Sequence, residues 1–97
     1  MPLYVMLVNW TDQGARNVKN TVKRADAVAA AAKRHKCEAR EILWTMGAYD
    51  AVGIFEAPND QAMSSLALSI GGQGNVRTLT MRAYDKAEMT KVIAGVR

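Results

Sequence analysis

Four residues with chemical potential sit in otherwise apolar strand-like stretches: Asn9, Trp44, Glu56 and Arg82. Side chains alternate across a strand, so Asn9 shares a row with Val5 and Leu7, and Glu56 with Val52 and Ile54. Arg82 shares one with Thr78 and Thr80, and Trp44 with Ile42 and Met46. If these rows face one enclosed space, a few polar groups converge in an apolar lining, the usual composition of a small-molecule pocket. The same pattern allows a bland reading, in which Glu56 and Arg82 form a structural ion pair.

Other reactive types point nowhere as strongly. His35 is the only histidine and Cys37 the only cysteine. A metal site usually needs several such ligands, so His35 reads as a surface or edge histidine and Cys37 as a partly buried small hydrophobe. Gly71, Gly72 and Gly74 could suggest a phosphate loop, but they follow a helix C-terminus, whose partial charge is negative. They read as a helix-to-strand turn. No resident cofactor is expected.

Charge is uneven. From Asp12 to Arg40 there are eight basic residues and three acidic ones, within a net charge of +4. Lys19, Lys23 and Arg34 fall on one helical face opposite the apolar stripe, with Lys33 and Arg24 flanking them. No aromatic residues are interleaved and no groove-reading motif is present, so the face reads as solvated and nucleic acid is not favoured as a partner.

The elements that must position these residues follow from periodicity. Ninety-seven residues, 49% hydrophobic and 23% charged, fit a single packed domain over residues 1–97. The longest apolar runs have six residues, far short of the roughly 20 that span a bilayer. No secretory leader is evident, and one cysteine allows no internal disulfide, so a cytoplasmic location is expected.

Leu3 to Trp10 reads as a strand. A helix starts near Asp12, bends near Asn20 and Thr21 and runs to about Lys36, with Val18, Val22, Ala25, Val28, Ala29 and Ala32 on its core face. Ala39 to Met46 and Asp50 to Ala57 form a hairpin about a tight turn at Gly47 and Ala48. In that turn Gly47 takes positive φ, Tyr49 packs at the hairpin's end and Asp50 bonds turn amides, with ligand contact as the alternative for Tyr49 or Asp50.

Asn59 or Asp60 caps a helix carrying Met63, Leu66, Ala67 and Ile70. Val76 to Tyr84 is a fourth strand, and Asp85 with Glu88 opens a terminal helix. The order β-α-β-β-α-β-α is the α+β ferredoxin-like split βαβ plan with an added C-terminal helix. Its central strands, Leu3 to Val8 and Ala51 to Phe55, lack polar alternation and so should be covered on both faces. A second copy is the economical cover. The expectation is a homodimer with sheets face to face, a dimeric α+β barrel; the terminal helix is the alternative cover.

The turn Gly47-Ala48-Tyr49-Asp50 and its flanks, Glu41 to Met46 and Ile54 to Asp60, resemble the signature of the GYD domain family. Thr11-Asp12-Gln13-Gly14 and Gly74-Asn75-Val76-Arg77-Thr78 are similar to that family as well. The resemblance implies a bacterial protein with a dimeric α+β-barrel fold, and it implies no particular reaction.

Three functions fit this pattern. The first is a homodimer that takes a small apolar or aromatic ligand between its sheets, in a sensing, carrier or stress-related role. The second is a cofactor-independent monooxygenase-like enzyme, since Asn9 and Trp44 are residue types such sites use. Haem chemistry is disfavoured, because His35 follows the first long helix and not the later one. The third is a regulatory module acting through a protein partner.

Overall fold

Apolar alternation and capping chemistry divide the chain into nine short elements, and the computed structural model describes all residues 1–97. In order they are β1 (Leu3–Trp10), α1 (Asp12–Arg16), a 3-10 turn (Val18–Asn20), α2 (Thr21–Arg34), β2 (Glu38–Trp44), β3 (Ala51–Glu56), α3 (Asp60–Gly71), β4 (Val76–Ala83) and α4 (Lys86–Ala94). The strands form one antiparallel sheet in the order β2-β3-β1-β4. Both uniformly apolar strands are thus central, as the ferredoxin-like plan requires.

The core lies on one side of that sheet. Tyr4 and Met6 of β1 and Phe55 of β3 pack against Ala32 of α2 and Met63, Leu66 and Ile70 of α3. Asn59 caps α3 by accepting from the Ala62 amide, and Asp85 and Glu88 complete a capping box at α4. Each cap satisfies amides that a helix start leaves without intrahelical partners.

The first helical region breaks where the sequence places the bend: the chain leaves α geometry at Asn17, makes a single 3-10 turn and restarts at Thr21, with Asn20 at the new N-cap. Arg24 fixes that elbow by donating to the carbonyls of Asn17 and Gly14. The stripe is consequently out of phase at its start: Val18 and Val22 are 36% and 59% exposed, while Ala32 is fully buried.

The hairpin connection also differs, since it spans residues 45–50 and is no tight two-residue turn. The Thr45 amide donates to the Asp50 carbonyl and the Thr45 hydroxyl to the Tyr49 carbonyl. Gly47 does take a positive φ, at 108°. The Asp50 carboxylate bypasses its own turn and accepts from the Trp10 amide on β1 at 2.8 Å, so the loop is pinned across the sheet.

The other sheet face carries Val5, Leu7, Val52 and Ile54 on the central strands, flanked by Leu43, Leu79 and Met81. Leu43 and Leu79 are about half exposed. The terminal helix does not act as the alternative cover: α4 contains no buried residue, and its Ile93 is 56% exposed.

Candidate functional site

Strand register decides what faces what. Tyr4, Met6, Val8 and Trp10 point to the helical side, together with their partners Phe55, Gly53 and Ala51 on β3. On β2 the pairing shifts between Ala39 and Glu41, a bulge that leaves Arg40 without a partner in the ladder. Beyond it, Ile42 pairs with Gly53 and Trp44 with Ala51, so both lie under the helices.

Those side chains floor a cavity of about 280 Å³ between the sheet, α2 and the C-terminal end of α3. Val8, Trp10, Ile42, Trp44 and Ala51 supply apolar surface from below, and Ala25 and Val28 from above. Both of the chain's tryptophans are in this lining. Trp44 also closes one side, because its indole Nε1 donates to the Thr21 hydroxyl at 3.0 Å. Gly53 leaves room for the Phe55 ring, whose nearest carbon would lie 2.5 Å from a Cβ at that position.

One end of the cavity is built by two segments far apart in sequence. The Thr11 hydroxyl donates to the Gly74 carbonyl, and the Thr11 amide donates to the Asn75 carbonyl. Gln13 Nε2 donates to the Gln73 carbonyl and to Asn75 Oδ1. Gly74 takes a φ of 84°, a conformation glycine adopts without steric cost. Gln73, Gly74 and Asn75 therefore form a lock onto the start of α1, and Gln73 and Asn75 also line the cavity. The sequence signal for this contact was Gly14 inside a helix, where glycine is unfavourable unless a close approach requires it.

The four strand candidates do not form one cluster. Trp44 lines the cavity on the helical side. Arg82 is also on that side but lies at the far end, in a shallow recess under α3 with Tyr4, Asp60 and Thr80. Asn9 and Glu56 lie on the opposite, open face; Asn9 Nδ2 donates to the Ala48 carbonyl, which ties β1 to the hairpin loop. A one-residue offset in a strand exchanges faces, and it separates these two from the others.

Within the chain Glu56 and Arg82 form no ion pair, because they lie on opposite faces of the sheet and each has a nearer partner. Glu56 pairs with Arg40 at 3.0 Å, and Arg82 with Glu88 of α4 at 2.9 Å. Arg82 also donates to the Ala83 carbonyl and lies over the Tyr84 ring. Hydrogen bonding to Arg82 holds the Glu88 carboxyl below the ordinary carboxylate range, and the bond to Glu88 raises the Arg82 guanidinium in turn. Arg82 thus anchors the root of α4.

In the same recess the Tyr4 hydroxyl donates to Asp60 Oδ1 at 2.5 Å. Burial, reinforced by the Asp60 hydrogen bond, pushes the Tyr4 phenol up to about 12. Cys37 is buried in the core, more deeply than the partial burial expected of it, and burial pushes its thiol up as well. A raised thiol is a poor nucleophile near neutrality.

Of the turn residues, Asp50 has a structural partner in the Trp10 amide, whereas Tyr49 is 37% exposed at the hairpin end and its backbone carbonyl accepts from the Thr45 hydroxyl. His35 Nε2 lies 3.3 Å from the Ser69 hydroxyl, a residue of the cavity lining. That hydroxyl already donates to the Ser65 carbonyl, and His35 has no carboxylate hydrogen-bonded to its ring to orient it. The pair therefore lacks the third member that activates a serine nucleophile. No group of three or more His, Cys, Asp or Glu side chains is placed to hold a metal ion, and no helix is long and apolar enough to cross a membrane.

Comparison with solved structures shows the same fold elsewhere. TTHA0845 from Thermus thermophilus superimposes with a TM-score of 0.57 at 18% identity, covering 88% of this chain and 95% of that one. The leucine response regulatory protein LrpA of Mycobacterium tuberculosis gives a TM-score of 0.59 at 15% identity, covering 88% of this chain. This chain spans about half of LrpA, 51% of its length. At these identities the likeness is one of fold. No curated protein matches the sequence. A family model described as GYD domain matches residues 4–93.

Proposed function

The chain belongs to the GYD domain family, and from that premise we propose that it is a small-ligand-binding homodimer with a sensing or carrier role. The ligand is apolar or aromatic and occupies the cavity under α2. One observation carries this reading: a space of about 280 Å³ is lined mainly by apolar side chains, including both tryptophans, with only a few polar groups at its margins. A concave, mainly apolar surface with a few polar groups is the usual composition of a small-molecule site. The site thus moves from between two sheets, where the sequence pattern suggested it, to between sheet and helices.

The open sheet face supports the homodimer. Its Leu7 is flanked by Val52 on one side and Leu79 on the other, a continuous apolar surface across three strands. A two-fold axis lets one such patch serve both partners. Leu7→Lys places a charge at its centre and should convert a dimer to a monomer in sedimentation velocity; a wild-type monomer at micromolar concentration contradicts this part of the reading.

Tryptophan emission tests the ligand site directly, because no tryptophan lies elsewhere. Phenylpropanol, phenylpropionate and phenylpropylamine share one ring and chain length and differ in the head group. At least one should give a saturable emission change, and Ala25→Phe, which fills the cavity from α2, should abolish it while the far-UV circular dichroism is kept. No saturable response to any of the three overturns the reading. An enzyme remains a weaker reading, because no oriented acid, base or nucleophile faces the cavity.

A further inference from the structure

The charge around the cavity has one sign. Arg24 and Arg34 belong to its lining, and no aspartate or glutamate does. Neither arginine is in an ion pair, since the chain's two are Arg40–Glu56 and Arg82–Glu88. Arg24 is half-buried. Its donors reach the Asn17 carbonyl at 2.6 Å and the Gly14 carbonyl at 3.3 Å. A guanidinium has five N–H groups, and neutral carbonyls satisfy donors without cancelling the charge.

Asn75, a neighbouring polar group, offers donors to the same space. Gly14 touches Asn75, so Asn75 stands at the same end of the cavity as Arg24. Asn75 Oδ1 accepts from Gln13 Nε2, which orients the side chain, and its amide N–H groups make no hydrogen bond within the chain. This end of an apolar space therefore presents an uncompensated cation and spare donors. Its complement is an acceptor that carries negative charge.

We infer that the cavity selects an aromatic or aliphatic carboxylate, with its apolar body between sheet and α2 and its carboxylate on Arg24. The inference rests on the cavity being the ligand site. Arg34 is ten residues along α2, about 15 Å away by helical rise, so a ligand of this size meets one arginine only. The competing account is that Arg24 serves the α1–α2 elbow and nothing more. Under that account the ligand's head group is immaterial.

The three phenylpropyl compounds separate these accounts in the wild-type protein by tryptophan emission and calorimetry. Phenylpropionate should bind at least about tenfold more tightly than phenylpropanol, with phenylpropylamine weakest, and the preference should shrink as salt is added. It should vanish in Arg24→Gln and persist in Lys23→Gln, which removes an adjacent exposed charge outside the cavity. If Arg24→Gln does not fold, the order and salt dependence in the wild type decide alone. Equal affinity for acid and alcohol overturns the inference and leaves the ligand site standing; silence from all three overturns both. A preference retained by folded Arg24→Gln overturns the assignment to Arg24.

Discussion

Gly14 and the carbonyl of Asn75 occupy space that no side chain can share: a Cβ on Gly14 would stand 1.9 Å from the Asn75 oxygen. The contact joins the first turn of α1 to the approach to β4, and backbone atoms on one side of it leave little room to yield.

Gly14→Ala should therefore destabilise the domain by about 1–3 kcal/mol in urea denaturation, the range of overpacked interiors. Gly71→Ala is the control. Nothing lies within 4 Å of a Cβ there, so stability should be unchanged or slightly higher. Equal effects at the two positions would falsify the lock.

Tyr4 makes stability depend on alkaline pH. Its phenol is raised from 10.0 to about 12 in the folded chain, mainly by burial. Below pH 10 both states keep the proton and the contribution is complete. Above it the unfolded chain releases the proton first, so stability falls as pH climbs towards 12. Urea midpoints should decline more steeply over that window for the wild type than for Tyr4→Phe; parallel curves would refute the assignment.

Lys36 takes a left-handed φ of 61° where α2 ends. The Cys37 amide bonds back to the Ala32 carbonyl and the Lys36 amide to that of Lys33, the pair of bonds that closes a Schellman motif. Glycine suits this position better. Lys36→Gly should raise stability by about 0.5–1 kcal/mol, after its greater freedom in the unfolded chain is set against the relief of strain. A lower melting temperature would count against it.

The Thr80 hydroxyl is buried without a partner in the recess beside Tyr4 and Arg82. Valine has nearly the same shape and no polar atom to leave unpaired. Thr80→Val should gain about 1 kcal/mol, readable as a higher urea midpoint with an unchanged slope. A loss of stability would show that the hydroxyl is satisfied in solution.

Much of this architecture was legible in the residues alone. The unbroken apolar character of Leu3 to Val8 and Ala51 to Phe55 marked the two strands that prove central in the sheet. Asn59, Asp85 and Glu88 announced their helices by local capping chemistry. The site was less legible. Trp44 faces the helices because of the bulge at Arg40, a property of pairing that no row of residues reveals. Arg82 found Glu88 six positions downstream, and Asp50 found an amide across the sheet. Arg24 looked like one more charge on a solvated helix until the elbow at Asn17 placed it over the cavity.

The pairing of β1 with β4 over all eight residues from Leu3 to Trp10 has a consequence for biosynthesis. The first strand made is sandwiched between the third and the last, so its second hydrogen-bonding edge stays bare until residue 83 has left the ribosome. Stalled nascent chains ending after α3 should be digested rapidly by added protease, whereas chains with β4 fully extruded should resist. Closure of this sheet is thus the last event in its assembly, and until then the greasy first strand keeps one edge open.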